Sequence, residues 1–209
     1  MNSKVIAGFL ILSPIVAFVV MMSGLLPDTS DMTVAQSLEK MLENKTQNMI
    51  GFLVVTVAIS SLLLGHSLLA RSMRGNGKPA ATCAELAGII MLLVIPVLLV
   101  ELGYFWAAME KAETDKLLAE AILTNGEGIS DIIGIPWTIG FFLMGIAIIR
   151  QKKFHIVVGV IAVALPVMGF VGEVGGDSDA IELLQFVGFI GMVLLTVTMG
   201  VLTLIRKEG

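Results

Sequence analysis

Six times in 209 residues the chain runs for about twenty positions on almost nothing but apolar side chains: roughly 5-26, 49-70, 86-108, 130-149, 156-174 and 182-205. A helix rises 1.5 Å per residue, so about 20 residues cover the roughly 30 Å of a bilayer's hydrocarbon core. Backbone crossing lipid must satisfy its own N–H and C=O groups, which only helices and closed barrels do. The runs are rich in Leu, Ile, Val, Met and Gly and lack the period-two alternation of a barrel strand, so helices are expected. Only 14% of the residues are charged against 56% hydrophobic, which is far from the composition of a soluble domain. Connections of about 10 to 25 residues leave no room for a separate soluble domain. The expected fold is therefore all-α: one domain, 1-209, forming a polytopic bundle of six transmembrane helices.

Basic residues orient such a bundle. Lys4, Arg71, Arg74, Lys78, Arg150, Lys152, Lys153, Arg206 and Lys207 fall on the side shared by both termini, against Lys40, Lys45, Lys111 and Lys116 on the other. Nine against four places both termini in the cytoplasm, with the cell (plasma) membrane as the expected location. Of the 17 acids only Glu85 and Glu208 lie on that inner side, so the net charge of -4 conceals a basic inner face and an acidic outer one. The first run follows Lys4 like a secretory signal, but it exceeds a signal core of roughly 7 to 15 residues and is read as the first span. A lone cysteine, Cys83, excludes an intramolecular disulfide.

The runs share internal marks. Odd-numbered spans carry a glycine near the inner end and a proline in mid-run: Gly8 and Pro14, Gly88 and Pro96, Gly159 and Pro166. Even-numbered spans end on a glycine, an apolar turn and an arginine: Gly65 to Arg71, Gly145 to Arg150, Gly200 to Arg206. Three consecutive helical hairpins of one kind are expected, parallel rather than inverted repeats, with structural kinks at Pro14, Pro96 and Pro166. Two outer connections read as short amphipathic helices packed on the bundle, about 32-46 and 114-125. Asp31 or Thr33 is the expected N-cap of the first; Thr114 is that of the second, with Gly126 as its stop. Asn44-Lys45-Thr46 is a glycosylation triplet, too common by chance to decide anything.

Glu101 breaks this regularity. It stands in VIPVLLVELGYFW, where the other repeats have Val19 and Val171, and it lies about 24 Å along the helix from Glu85, in the outer third of the bilayer. A carboxylate there is costly unless paired, protonated or wet. Asp131, Glu173 and Glu182 fall at the same end of their spans, so the four form a candidate ion or proton site at an outer mouth, hard cations favouring several oxygen ligands. The competing reading is structural: acids cost little at interface depth and favour helix N-termini. His66, the one histidine within a span, is a candidate polar contact to a neighbouring helix.

Familiar chemistries are absent from the sequence. No span carries a lysine for a retinal Schiff base, and His66 with the boundary residue His155 makes no haem pair. There is no HExxH, paired CxxC, P-loop, dinucleotide fingerprint or nucleophile elbow. No cofactor, metal or catalytic residue is expected. The thirteen methionines are scattered, and Tyr104, Trp106 and Trp137 sit where an outer aromatic belt would. The inner loops RSMRGNGK and RQKK suit topology and anionic lipid and are too short for nucleic acid.

KVIAGFLIL at the start, TVAQSLEKML leading to NMIGFLVVTV, the basic connection after the second span and FHIVVGVIAVAL together resemble the DUF4386 family of six-helix membrane proteins. The resemblance implies that fold and carries no activity or functional residue with it. The family's common aromatics are scarce here, at 6% of residues. Three functions stay open: an accessory or scaffolding subunit packing with membrane lipids and with other integral membrane proteins or itself; a small ion- or proton-coupled carrier, channel or sensor using Glu101; and, least supported, a membrane enzyme. Small-residue faces at Gly134, Gly140 and Gly145, or Gly188, Gly191 and Gly200, permit close helix approach within or between chains.

Overall fold

The computed structural model describes residues 2–29, 32–75, 77–174 and 179–205, with the side chains of 131, 172–174, 179, 182 and 185 outside that description. Within it the chain is all-helical: α1 Ser3–Met22, α2 Val34–Glu43, α3 Lys45–Ser72, α4 Ala81–Lys111, α5 Lys116–Gln151, α6 Ile156–Val174 and α7 Asp179–Ile205. Five of these, all but α2 and α6, are long and apolar enough to cross a membrane. α6 carries a shorter apolar stretch, Ile156–Val171.

Two helix starts show how the sequence sets local structure. Thr33 caps α2: its hydroxyl accepts from the Gln36 N–H at 3.4 Å while the Gln36 side chain accepts from the Thr33 N–H at 2.9 Å, a reciprocal capping box. Asp31 lies outside the described residues. The expectation for α5 needs correction. Its cap is Asp115, whose carboxylate accepts from the Leu118 N–H at 3.1 Å, whereas the Thr114 hydroxyl closes α4 by donating to the Lys111 carbonyl at 3.2 Å. The helix does not stop at Gly126 but continues to Gln151. A Cβ on Gly126 would stand 3.0 Å from Cβ of Tyr104, so the glycine serves close helix approach and not termination.

The chain divides into two compact units. The first comprises Met1–Pro14, Ser61–Val94 and Gly134–Gly209; the second comprises Ile15–Ser60 and Ile95–Ile133. Four helices pass from one unit to the other, and three do so within three residues of a proline: α1 at Pro14, α4 just before Pro96 and α5 just before Pro136. Each proline removes one backbone hydrogen bond from its helix. The expected prolines 14, 96 and 166 all lie inside helices; Pro136, in an even-numbered run, is a fourth that the repeat pattern does not contain.

In the first unit, glycine contacts link every helix to the next in a closed circuit. Gly65 meets Phe9 and Leu10 of α1, Gly88 meets Ser67 and Ala70 of α3, and Gly140 meets Met91 of α4. Gly145 and Gly159 bring α5 and α6 together, Gly188 lies on Gly169, and Gly200 returns the circuit to Ala7, Leu10 and Ile11 of α1. In lipid, where helices gain nothing from leaving water, this close van der Waals approach is the main cohesive term. The second unit is built differently. Leu38 and Met41 of α2 pack on Ala108 and Met109 of α4 and on Ala119 and Leu123 of α5, an apolar cluster that places one face of the amphipathic α2 inward.

Candidate functional site

The polar residues within the apolar helices are the candidates, and each unit holds one centre. In the second unit, Glu101 is half-buried on α4, five residues past Pro96. The Ser130 hydroxyl of α5 donates to its Oε1. Among the described residues Glu101 makes no ion pair. A carboxylate held by one hydroxyl and no cation keeps acceptor capacity, which is what a cation or proton would use. Ser130 was not legible as its partner: the two are 29 residues apart, and a serine in a Gly-rich stretch carries no sign of what it faces.

Asp131 follows Ser130 in α5, Glu173 lies near the end of α6, and Glu182 lies in the first turns of α7. Their side chains fall outside the described residues. Of the four expected carboxylates, the structure therefore locates the carboxyl of Glu101 alone.

In the first unit the centre is His66, fully buried on α3. Its Nδ1 lies 3.0 Å from the Leu62 carbonyl, and its Nε2 lies 3.2 Å from Oγ1 of Thr196 on α7. A carbonyl only accepts, so Nδ1 carries the proton; in the neutral ring Nε2 is then an acceptor, and the Thr196 hydroxyl donates to it. Phe141 of α5 closes the third side, its ring centroid 4.6 Å from the imidazole at 63°, and Trp137 stacks on Phe141 at 6.3 Å. α3, α5 and α7 thus meet at one histidine with both ring nitrogens engaged. Trp137 Nε1 and Trp106 Nε1 are buried without a hydrogen-bond partner among the described residues.

Among the described residues no three His, Cys, Asp or Glu side chains gather as metal ligands. The arrangement defines a class by length and composition: a helical bundle with several helices able to span a membrane, consistent with a multi-pass membrane protein. No family model, curated protein or solved structure matches the chain, so the likeness to DUF4386 proteins is neither supported nor refuted.

Proposed function

We propose that the protein is a non-catalytic, six-span membrane protein of the plasma membrane with both termini in the cytoplasm, and that it serves as an accessory or scaffolding subunit. Its six spans would be three hairpins in series, α6 completing the set. The meeting of α3, α5 and α7, the even-numbered spans, at His66 supports that repeat. One observation carries the functional reading: the glycine faces and the central histidine are engaged within the chain, while long apolar stripes remain uncovered. Leu183, Val187, Leu194, Val201 and Ile205 recur at helical spacing along α7, and Ile156, Val160, Val167 and Val171 do so along α6, all exposed. Lipid or a partner's helices would cover such stripes. The small-residue faces at Gly140, Gly145, Gly188, Gly191 and Gly200 are occupied internally, so a partner would meet the stripes instead. Purification from the native membrane in mild detergent, with identification by mass of everything at fixed stoichiometry, tests this. A constant partner that is lost in Leu194→Gln supports it; migration as a lone chain sinks it.

Glu101 supports a second reading, a small ion- or proton-coupled carrier, channel or sensor, because among the described residues its carboxylate meets a hydroxyl and no cation. Asp131, Glu173 and Glu182 would then complete an outer mouth. Reconstituted flux that disappears in Glu101→Gln while the fold is kept would favour it over the scaffold.

A further inference from the structure

The first unit contains an open cleft of about 390 Å³, lined by Lys78, Arg150, Lys152 and Lys153 together with Ser72 and Gln151. We infer that this cleft is a binding site for a phosphate-bearing anion.

The cleft lies where the α3–α4 and α5–α6 connections come together, and its walls are anchored. The Gln151 side chain donates to the Met73 carbonyl at 2.8 Å, tying the end of α5 to the loop after α3. Met73 is fully buried and Phe154 nearly so, which pins both loops from below. The end of α5 is a complete Schellman closure: the Lys152 N–H reaches the Ile149 carbonyl at 3.3 Å and the Lys153 N–H reaches the Ile148 carbonyl at 3.1 Å.

The residue at the left-handed position of that closure is Lys152, with φ of 50°. Glycine is the default there because a Cβ is penalised, so a lysine at this position, which lines the cleft, carries a conformational cost. In the loop that supplies Lys78, Gly75 has φ of 149°, and the place where its Cβ would be lies 3.2 Å from Cε of Lys78. The missing side chain lets the Lys78 stem fold back along its own loop.

Among the described residues none of Lys78, Arg150 and Lys152 is in an ion pair, whereas Arg74 nearby pairs with Glu85 at 3.6 Å. Lys153, which already has an interaction of its own, completes the wall. Three cations without an ion-pair partner among the described residues, with the second N–H of the Gln151 amide beside them, match the charge and acceptor oxygens of a phosphate; the Ser72 hydroxyl is spent on the Leu69 carbonyl at 2.7 Å. Basic pockets between spans on the cytoplasmic side take anionic headgroups in the same way. The competing reading is that these residues only favour the C-terminal end of α5 and the positive-inside bias, which needs no ligand.

The test uses the full chain, purified alone, so failure of the scaffold reading leaves it intact; only the lipid arm rests on the membrane reading. Unfolding midpoints are measured in neutral detergent with inorganic phosphate against chloride at matched ionic strength. They are measured again in nanodiscs of phosphatidylcholine with and without phosphatidylglycerol. Stabilisation is expected in at least one arm: phosphate alone identifies a soluble anion, and phosphatidylglycerol alone identifies a headgroup. Lys152→Gly removes the strain with the charge, so its ligand-free midpoint should rise while its apparent affinity for the anion falls about tenfold, the scale of one charge-assisted hydrogen bond. Lys78→Gln and Arg150→Gln should each weaken binding by a similar factor. No stabilisation in either arm, or equal stabilisation in wild type and all three variants, would overturn the site.

Discussion

Gly145 of the first unit lies against Gly159 and Val163, backbone to backbone; Leu38 of the second is enclosed by the side chains of α4 and α5. The first unit coheres through what its contact positions lack, and both ring nitrogens of its buried His66 are engaged. The second coheres through what its side chains supply: an apolar cluster under an amphipathic helix, two ion pairs between helices or connections far apart in sequence, and the Asn48 amide donating to the Met41 carbonyl at 2.7 Å. Close approach through small residues works in lipid as well as in water, whereas charges within lipid are costly and must be paired. The difference therefore separates a unit held by close helix approach from one held by enclosed side chains and paired charges.

The largest effect is expected where the first strategy is broken. A Cβ at Gly145 would lie 2.7 Å from Cγ2 of Val163 and 3.0 Å from the Gly159 carbonyl oxygen, and backbone cannot rotate aside. Gly145→Leu should cost about 3 kcal/mol or more, at or beyond the upper end for overpacking. Gly103→Ala, at a glycine with open space around it, should be tolerated. Thermal unfolding of both in detergent checks the pair, and equal midpoints would show that the close approach does not hold the unit. Next, Leu38→Ala should open a cavity in the second unit and cost about 2–4 kcal/mol. Hydrogen exchange should localise that loss to α2 and the start of α5, leaving His66 and its neighbours protected. Exchange that rises equally in both units would mean that they do not unfold separately.

A smaller effect belongs to the histidine. Thr196→Val keeps the shape and removes the hydroxyl that donates to Nε2, leaving a buried acceptor without its partner. The expected loss is about 1 kcal/mol, because polar contacts within membrane bundles are modest even when buried. Thr196→Ser should recover most of it. A Thr196→Val protein as stable as wild type would show that Nε2 needs no partner.

Much of the helical pattern was legible because apolar runs and caps are local signals. Thr33, one of the two expected caps, opens α2, and five apolar runs reappear in the long helices. What failed was the meaning of single residues whose role is set at a distance. A glycine that ends a helix and one that lets an aromatic neighbour approach look alike in sequence, so Gly126 was misjudged and α5 was cut in two. Thr114 and Asp115 are both good caps, and only the geometry assigns one to the end of α4 and the other to the start of α5. Glu101 and His66 stand out as polar exceptions in apolar runs. Their partners, Ser130 and Thr196, are 29 and 130 residues away and chemically ordinary. Pro136 has no counterpart in the other even-numbered runs, so the repeat pattern does not point to it.

The smallest expected effect belongs to the exposed ion pairs of the second unit. Glu113 pairs with Lys45 and Glu39 pairs with Lys116, both at 2.6 Å and both on exposed surface. The hydrogen bond from each lysine, and then its charge, hold both carboxyls below their ordinary value of 4.5. A carboxyl whose value is depressed on folding releases its proton more readily in the folded chain. Its contribution is thus complete above pH 4.5 and is lost as pH falls through the depressed folded value. Exposed pairs are weak and screened within about 10 Å at 0.1 M salt, so the second unit should show a slight acid-side loss that added salt reduces. The double variant Glu39→Gln and Glu113→Gln should flatten that acid limb without moving exchange protection around His66. The readout is hydrogen exchange followed between pH 3 and 6 at low and high salt, corrected for intrinsic rates. An acid limb unchanged by the double variant would remove these pairs from the account of the second unit and leave its apolar cluster as the main term.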